Sequence, residues 1–416
     1  MMTPRLLRFF MAFILTVHTS FALAHNKAGA LLPPAAIQHR LVFPDTENFR
    51  VLSADLHTHS VFSDGHVWPN IRVAEALREN LDVIAITEHL EWKPHSADQK
   101  VVDNNRAFHI AKAASKGEAI LVLPGAEITR ETPVGHINAI FINDANELVK
   151  AVQVEEGDDA AIDDYPDWGT EREVYVYYDQ TGRWPAENAV IAALSQGAFL
   201  FWNHPSWIDQ TPDGIPVVTP QHEKWFKGGW VQGIEVVNSE WYSPESFQLA
   251  LDHNLTLIGT SDVHDLIDWD YQLHTGGHRP VTLILAESET EQGVKEALLA
   301  RRTAVWHKNN LLGREKELQQ LVEASLDITD VAFVEQSSLV RFTLTNGANM
   351  PFTLEYSESY PRIQSHARLI EVPALGQVTV ELFLDEREKG FSWPVKVMNA
   401  LTSPKELLSV SLDVTL

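Results

Sequence analysis

Residues 51–65 read VLSADLHTHSVFSDG, and the fold turns on how this stretch is read. An apolar run leads into Asp55, His57 and His59, so a strand ends on a cluster of strong ligands. In an extended chain successive side chains point to opposite faces, which puts His57 and His59 on one face and Thr58 on the other. Asp64 follows in a loop that Gly65 helps to turn. Two readings of the stretch stand side by side: a metal site at the mouth of a sheet or barrel, or a polar loop that holds two histidines.

The pattern recurs along the chain. LDVIAITEH, AILVLPGAEIT, HINAIFI, GAFLFWNHP, VQGIEVVNS and LTLIGTSDVH are apolar runs with polar or ligand-bearing ends. NIRVAEALREN, NNRAFHIAKAASK, AENAVIAALSQ and PESFQLALDHN lie between some of them and read as helices. Buried β-branched runs alternating with helices predict parallel strands with helical crossovers. With the first run this makes seven strands, an α/β fold with a seven-stranded βα barrel over residues 51–312. In such barrels functional side chains collect at the carboxyl ends of the strands. Residues 143–184 break the rhythm, acidic at VEEGDDAAIDDYPDW and then aromatic at YVYYDQTGRW. They read either as a solvated excursion or as a lid over the barrel mouth. From Gly313 a helical stretch, GREKELQQLVEASLDI, gives way to LVRFTLTN, FTLEYSE, QVTVELFL and WPVKVMNAL. Alternating short runs predict a small antiparallel β-sandwich over residues 313–416.

Bulk properties narrow the function. The chain has 416 residues, 44% of them hydrophobic, and no cysteine, so any metal ligands are nitrogen and oxygen. Residues 1–24 carry Arg5 and Arg8, an apolar run and a terminal Ala-Leu-Ala, the pattern of a cleaved secretory signal. The run is short for a membrane span, which needs ~20 residues. A periplasmic or secreted protein with no stable membrane anchor is expected, with residues 25–50 as an N-terminal segment. The formal charge is −25, and losing Arg5 and Arg8 takes it to −27. Such a surface argues against long nucleic acid as a partner. It is compatible with a small phosphoester whose charge is met locally by metal. Oligomeric state is not legible.

The ligand types fall at the predicted strand ends: His57, His59, His89, Glu127, His136, His204, Asp262 and His264, with Asp64 in the first loop. Singly, each histidine reads as a hydrogen-bonded structural residue and Asp262 as a helix cap. Together they read as a polynuclear site with a carboxylate placed to bridge metals.

DLHTHSVFSDG, ITEH, PGAEIT, GHINAI, WNHP and TSDVH, in that order, resemble the PHP family, the polymerase and histidinol phosphatase metal-dependent phosphoesterases. The resemblance implies a distorted seven-stranded barrel holding two or three divalent ions, zinc, manganese or iron. It implies that His57, His59, Glu127 and Asp262 hold one metal. Glu127 would bridge to a second, on His136 and His204, and Asp64, His89 and His264 would hold a third. Some members carry histidine at the position of Asp64. GGHRPVTLILAE, RRTAVWHKNNLLGRE and the trailing β-domain look like a secreted bacterial branch of Sb-PDE-type phosphodiesterases, associated with organophosphate diesters.

The expected activity is hydrolysis of a small organic phosphodiester by a hydroxide held between metals, with Asp262 and His264 in the catalytic centre. Arg279 is expected to grip phosphoryl oxygens and His278 to protonate the leaving group, with surface and loop roles as their plain alternatives. His66, His274 and Arg130 are weaker candidates of the same kind. Trp202, Trp207, Trp241, Tyr242 and Trp269 read as pocket walls or as barrel-end packing. The rival activities are a phosphomonoesterase of sugar-phosphate or histidinol-phosphate type, and a periplasmic metal-binding protein without catalysis.

Overall fold

The computed structural model describes residues 41–153, 162, 165, 169–356, 369–384, 387 and 389–416. The expected signal, most of the segment at 25–50 and most of the acidic tract at 154–168 lie outside the described residues.

The first part of the chain alternates strands and helices: β1 Arg50–Asp55, α1 Pro69–Glu79, β2 Val83–Ile86, α2 Arg106–Ala114, β3 Leu121–Ile128, β4 Ile137–Ile140, α3 Arg172–Gly182, α4 Ala186–Ser195, β5 Phe199–Trp202, α5 Pro220–Gly228, β6 Gly233–Asn238, β7 Trp241–Tyr242, α6 Pro244–Asp252, β8 Thr256–Thr260, α7 Ile267–Tyr271, β9 Val281–Ala286, α8 Glu291–Leu299, β10 Thr303–His307, β11 Asn310–Gly313 and α9 Glu315–Ser325. Local chemistry sets the ends of these elements. α1 opens on Pro69, whose missing N–H costs nothing in the first turn, and closes on Asn80 at φ 66°. α6 opens on Pro244 after Ser243, whose hydroxyl accepts from the Ser246 N–H.

All seven expected strands are present, but the sheet is not seven uniform parallel strands. β1–β2–β3 and β5–β6–β8 run parallel, whereas β4 is antiparallel to both β3 and β5. Only a short loop joins β3 to β4, too little for the dozen or more residues of a parallel crossover. The fold is therefore mixed α/β. β9 and β10, two further antiparallel strands, continue the sheet beyond β1. On the other side β8 is tied to β9 by side chain: the Gly259 N–H donates to Thr282 Oγ1 at 3.0 Å. A Cβ on Gly259 would lie 2.3 Å from Val305 Cγ1, so only glycine lets β8 pass β10 this closely.

The interior is packed, not hollow. Leu52, Ala54, Val83, Ala85, Leu123, Phe199, Phe201 and Ile258 fill the space enclosed by the strands. Each large side chain among them contributes roughly 1.5–3 kcal/mol by leaving water. Together they make a floor beneath the strand ends where the polar residues gather.

The C-terminal part is a β-sandwich, as expected. β12 Leu326–Phe333, β13 Leu339–Asn346 and β16 Gln377–Phe383 form one antiparallel sheet. β14 Phe352–Tyr356, β15 Leu369–Val372, β17 Gly390–Ser403 and β18 Glu406–Thr415 form the other. The boundary at 312/313 is not a break, because β11 pairs in parallel with β17 and joins the second sheet to the first. One apolar cluster runs from Val73 and Ile84 through Trp306 to Phe342 and Trp393, across both parts. The helix at 313–328 ends earlier than expected, at Ser325, where the alternating residues of β12 take over.

Candidate metal centre

The nine candidate ligands come together at one edge of the sheet. His57 and His59 extend β1, and Asp262 and His264 extend β8. These extensions are laced by the His59 N–H to the Val263 carbonyl (3.2 Å) and the Asp262 N–H to the His57 carbonyl (3.0 Å). The antiparallel course of β4 explains why His136, at a strand's start, reaches Glu127 near the end of β3. Its Nδ1 lies 3.1 Å from Glu127 Oε1. Gly65 closes the Asp64 loop against Ser60, with no room for a Cβ, which would lie 2.8 Å from the Ser60 backbone.

The ligand atoms form three overlapping groups, each within 4.8 Å: His57, His59 and Asp262; His89, Glu127 and His136; His59, Asp64, His89 and His264. His57 Nε2 faces His59 Nε2 at 3.0 Å, and Asp262 Oδ1 lies 3.2 and 3.1 Å from the two. Glu127 stands between the groups, Oε1 3.5 Å from His57 Nε2 and from His204 Nε2, and Oε2 2.6 Å from His89 Nδ1. His264 Nε2 and His89 Nε2 approach Asp64 at 3.2 and 3.4 Å. His204 is the loosest member, near Glu127 but outside the three groups. His204 and Asp262 also carry positive φ, 26° and 51°, a backbone region costing about 1–3 kcal/mol at a residue other than glycine.

Electrostatics mark the cluster as an unbalanced charge set. Burial raises the carboxyl pKa of Glu127, Asp64 and Asp262, yet the surrounding imidazoles outweigh it and hold all three well below the usual range. Burial disfavours charge on His264, but Asp64 and Asp262 overcome it and raise the ring to about 9. His57 and His89 are likewise raised against burial by their carboxylates. His59, buried between two other rings, falls to about 3. Asp64 Oδ1, Glu127 Oε2 and Asp262 Oδ1 are buried and receive no hydrogen bond. Buried carboxylate oxygens with no donated hydrogen bond, ringed by imidazole nitrogens, are what divalent cations satisfy. The residues present fit such ions.

A second layer holds these ligands. Glu235 accepts from His57 Nδ1 (2.8 Å), which leaves His57 Nε2 available to a metal, and its other oxygen accepts from the His204 N–H (2.7 Å). Asn203 Nδ2 donates to Glu127 at 2.7 Å, and Asn238 Nδ2 to Asp262 at 3.2 Å. Ser63, bonded to Glu88 at 2.5 Å, meets His59 Nδ1 at 3.1 Å. Fully buried Arg72 donates to the carbonyls of His59, Val263, His264 and Asp265 and to Glu75, fastening both ligand-bearing loops. Sequence reading missed these residues. The signal available was a charged residue inside an apolar element: Glu235 in a buried strand, Arg72 on the apolar face of α1.

Arg279 and His278 do not join the site. Arg279 is fully buried, with Nη1 on Asp55 at 2.7 Å and Nη2 and Nε on Glu79 at 2.6 and 3.2 Å. The guanidinium lines neither cavity described below and is turned to these carboxylates, so it is not placed to grip a phosphoryl oxygen. His278 meets the Arg279 and Lys308 carbonyls and packs on Trp306, 4.4 Å between ring centres. Arg130 is buried against Glu91. His66 pairs with Asp265 at the surface. Of the aromatic candidates, Trp202 is core, stacked on His222, and Trp269 is exposed away from both cavities described below.

Among the described residues, two sizeable cavities flank the cluster. A wide one of about 960 Å³ is lined by Asp64, His89, His136 and Thr129, with Glu131, His66 and His95. Tyr165, Gly169, Thr170 and Tyr178 also line it, so the described part of the 143–184 excursion does border the site. A narrower one of about 390 Å³ lies on the His204, Glu235 and Asn238 side, walled by Trp207, Trp241 and Tyr242. Trp207 borders both.

A solved structure from Bacteroides vulgatus, a two-domain protein containing a predicted PHP-like metal-dependent phosphoesterase, is 34% identical to this chain. The match covers 92% of this chain and 100% of that one, with a TM-score of 0.75. The chain belongs to the PHP-like metal-dependent phosphoesterase family. More distant are a Bifidobacterium adolescentis protein assigned as a metal-dependent phosphoesterase (19% identity, 60% of this chain and 96% of that one, TM-score 0.37) and a Chromobacterium violaceum amidohydrolase with bound sulfate and no metal (18%, 51% and 87%, 0.33). Residues 326–413 match an Ig-like domain family, in keeping with the C-terminal sandwich. No curated protein matches the chain. A PHP-like family chain with these His, Asp and Glu clusters is suited to divalent metal.

Proposed function

We propose that this PHP-like protein is an exported phosphodiesterase that hydrolyses small organic phosphodiesters with two or three bound divalent ions. The observation that carries the reading is the pair of cavities meeting at Trp207 beside the ligand cluster, room for an organic group on each side of a phosphorus. Neither cavity has a lysine or arginine among its described lining residues. A monoester dianion would call for such added cations, whereas a diester carries one charge fewer.

Divalent ions held by His57, His59, Glu127 and Asp262, by His136 and His204, and by Asp64, His89 and His264 would supply Lewis acidity and an activated water. The chain's own groups do the rest. Glu235 and Ser63 fix the tautomers of His57 and His59. The packed floor and the buried ligands keep bulk water from beneath the reacting phosphorus. His66 and His95 line the wide cavity with Asp64 and His89. No protein nucleophile is invoked. Export follows from the basic, apolar and Ala-Leu-Ala pattern of residues 1–24, and the acidic surface sets nucleic acid aside as a substrate. The wider likeness to Sb-PDE-type enzymes through GGHRPVTLILAE and RRTAVWHKNNLLGRE belongs to the same proposal.

The test is turnover of bis-p-nitrophenyl phosphate beside p-nitrophenyl phosphate by purified, metal-analysed protein. Preference for the diester is expected. Preference for the monoester would transfer the assignment to a phosphatase.

A further inference from the structure

The narrow cavity is built unlike the wide one. Its floor is polar and belongs to the metal centre: His204, Glu235 and Asn238, with Asn238 Nδ2 3.2 Å from Asp262 Oδ2. Its walls and rim are mostly apolar, with Trp207, Ile208, Trp241 and Tyr242 beside a few serines and Glu245. The Trp207 ring lies 5.3 Å from the His204 ring and 5.9 Å from that of His136, so this aromatic surface begins at the ligands. Trp241 is 79% exposed, Ile208 66% and Trp207 43%. One exposed apolar residue needs no explanation, but three around a single cavity mark a surface kept for a ligand. Trp241 is not on a loose loop. It sits on β7 in register with Asn238, the residue that touches Asp262, so rim and floor are set by one hairpin.

We propose that this cavity is an ester-group subsite selecting phosphodiesters with a bulky apolar, preferably aromatic, substituent, and that Trp241 sets the selectivity. The inference rests on the phosphodiesterase reading and narrows its substrate class. Two indoles favour a flat ring, which can lie edge-to-face or offset against them. Glu245 on the lining disfavours a substituent with a second negative charge. A small alkyl group would leave the cavity walls wet and gain little.

The experiment measures affinities of diphenyl phosphate and dimethyl phosphate for zinc-loaded protein by calorimetry, beside turnover of methyl p-nitrophenyl phosphate. Wild type is expected to bind the diphenyl ester at least ~10-fold tighter. Trp241→Ala should bring that ratio to within about 2-fold, while Trp241→Phe keeps most of it. Trp269→Ala, an exposed indole bordering neither cavity, should leave it unchanged. Equal affinities in wild type, no binding of either ester, or a ratio that survives Trp241→Ala would overturn the subsite. Tight, Trp241-dependent diphenyl phosphate binding without turnover of any phosphoester would uphold the subsite and sink the assigned activity. Turnover with no apolar preference would do the reverse.

Discussion

Replacing Arg279 by methionine separates a phosphate-gripping arginine from a buried structural one. The guanidinium bonds Asp55 and Glu79 through three contacts of 2.6 to 3.2 Å, and all three side chains are buried. Asp55 keeps the N–H and hydroxyl of Ser261 after the substitution, at 3.1 and 2.5 Å. Glu79 keeps neither of its Arg279 contacts. Removing one partner of such a pair typically costs about 3–5 kcal/mol, because an uncompensated charge stays behind. With a urea slope of ~3 kcal/mol/M, the unfolding midpoint should fall by about 1 M or more. Adding Glu79→Gln removes the stranded charge, and the double variant should recover roughly 1–2 kcal/mol. The assay is urea unfolding followed by fluorescence, beside KM for the diester at a urea-free temperature where the variant is folded. KM should stay within about 3-fold of wild type, since no donor of Arg279 faces a cavity. An unchanged midpoint with KM raised ~10-fold or more would restore the phosphate-gripping role and refute the structural one.

Further expectations follow from the same geometry. Arg72→Lys keeps the charge beside Glu75 but loses the fork that spans four carbonyls, so bound metal per chain should drop by elemental analysis while far-ultraviolet dichroism holds. Asp64→Asn should lower metal content by about one ion per chain; unchanged content would remove Asp64 from the ligands. In chelated protein His264 is raised to about 9, so its share of stability is complete below its unfolded value of ~6.5 and is lost as pH rises through about 9. Metal must displace that proton, so calorimetry in buffers of different ionisation heat should show proton release on loading at pH 7. A chelated protein whose stability rises between pH 7 and 9 would contradict the His264 assignment.

Much of the site was legible because its ligands sit at strand ends, where two-residue periodicity and turn chemistry are local signals. His57 and His59 share a face for that reason, and Asp262 and His264 repeat the device. What failed was long-range. Arg279 lies two residues before a strand and beside a motif, but its partners, Asp55 and Glu79, are 224 and 200 residues away. Nothing local distinguishes a guanidinium that turns to buried carboxylates from one that faces a substrate. The direction of β4 was within reach, since the short loop after β3 leaves no room for a crossover helix. β9 and β10, VTLILA and TAVWH, fall outside the seven expected barrel strands, although they extend the sheet to the sandwich. The cavities needed the fold, because Trp207, beyond β5, and Trp241, on β7, line one cavity only once both strands flank β6.

The most direct test compares wild type with Glu127→Ala in one preparation, by bound metal and by turnover of bis-p-nitrophenyl phosphate. Glu127 lies beside five imidazoles, His57, His59, His89, His136 and His204, and is fully buried, so its loss should empty at least one metal position and abolish turnover. Wild type should carry two or three divalent ions per chain and cleave the diester. Metal-free wild type that still turns over, or a Glu127→Ala variant with full metal and full activity, would contradict a metal-dependent phosphoesterase centred on Glu127.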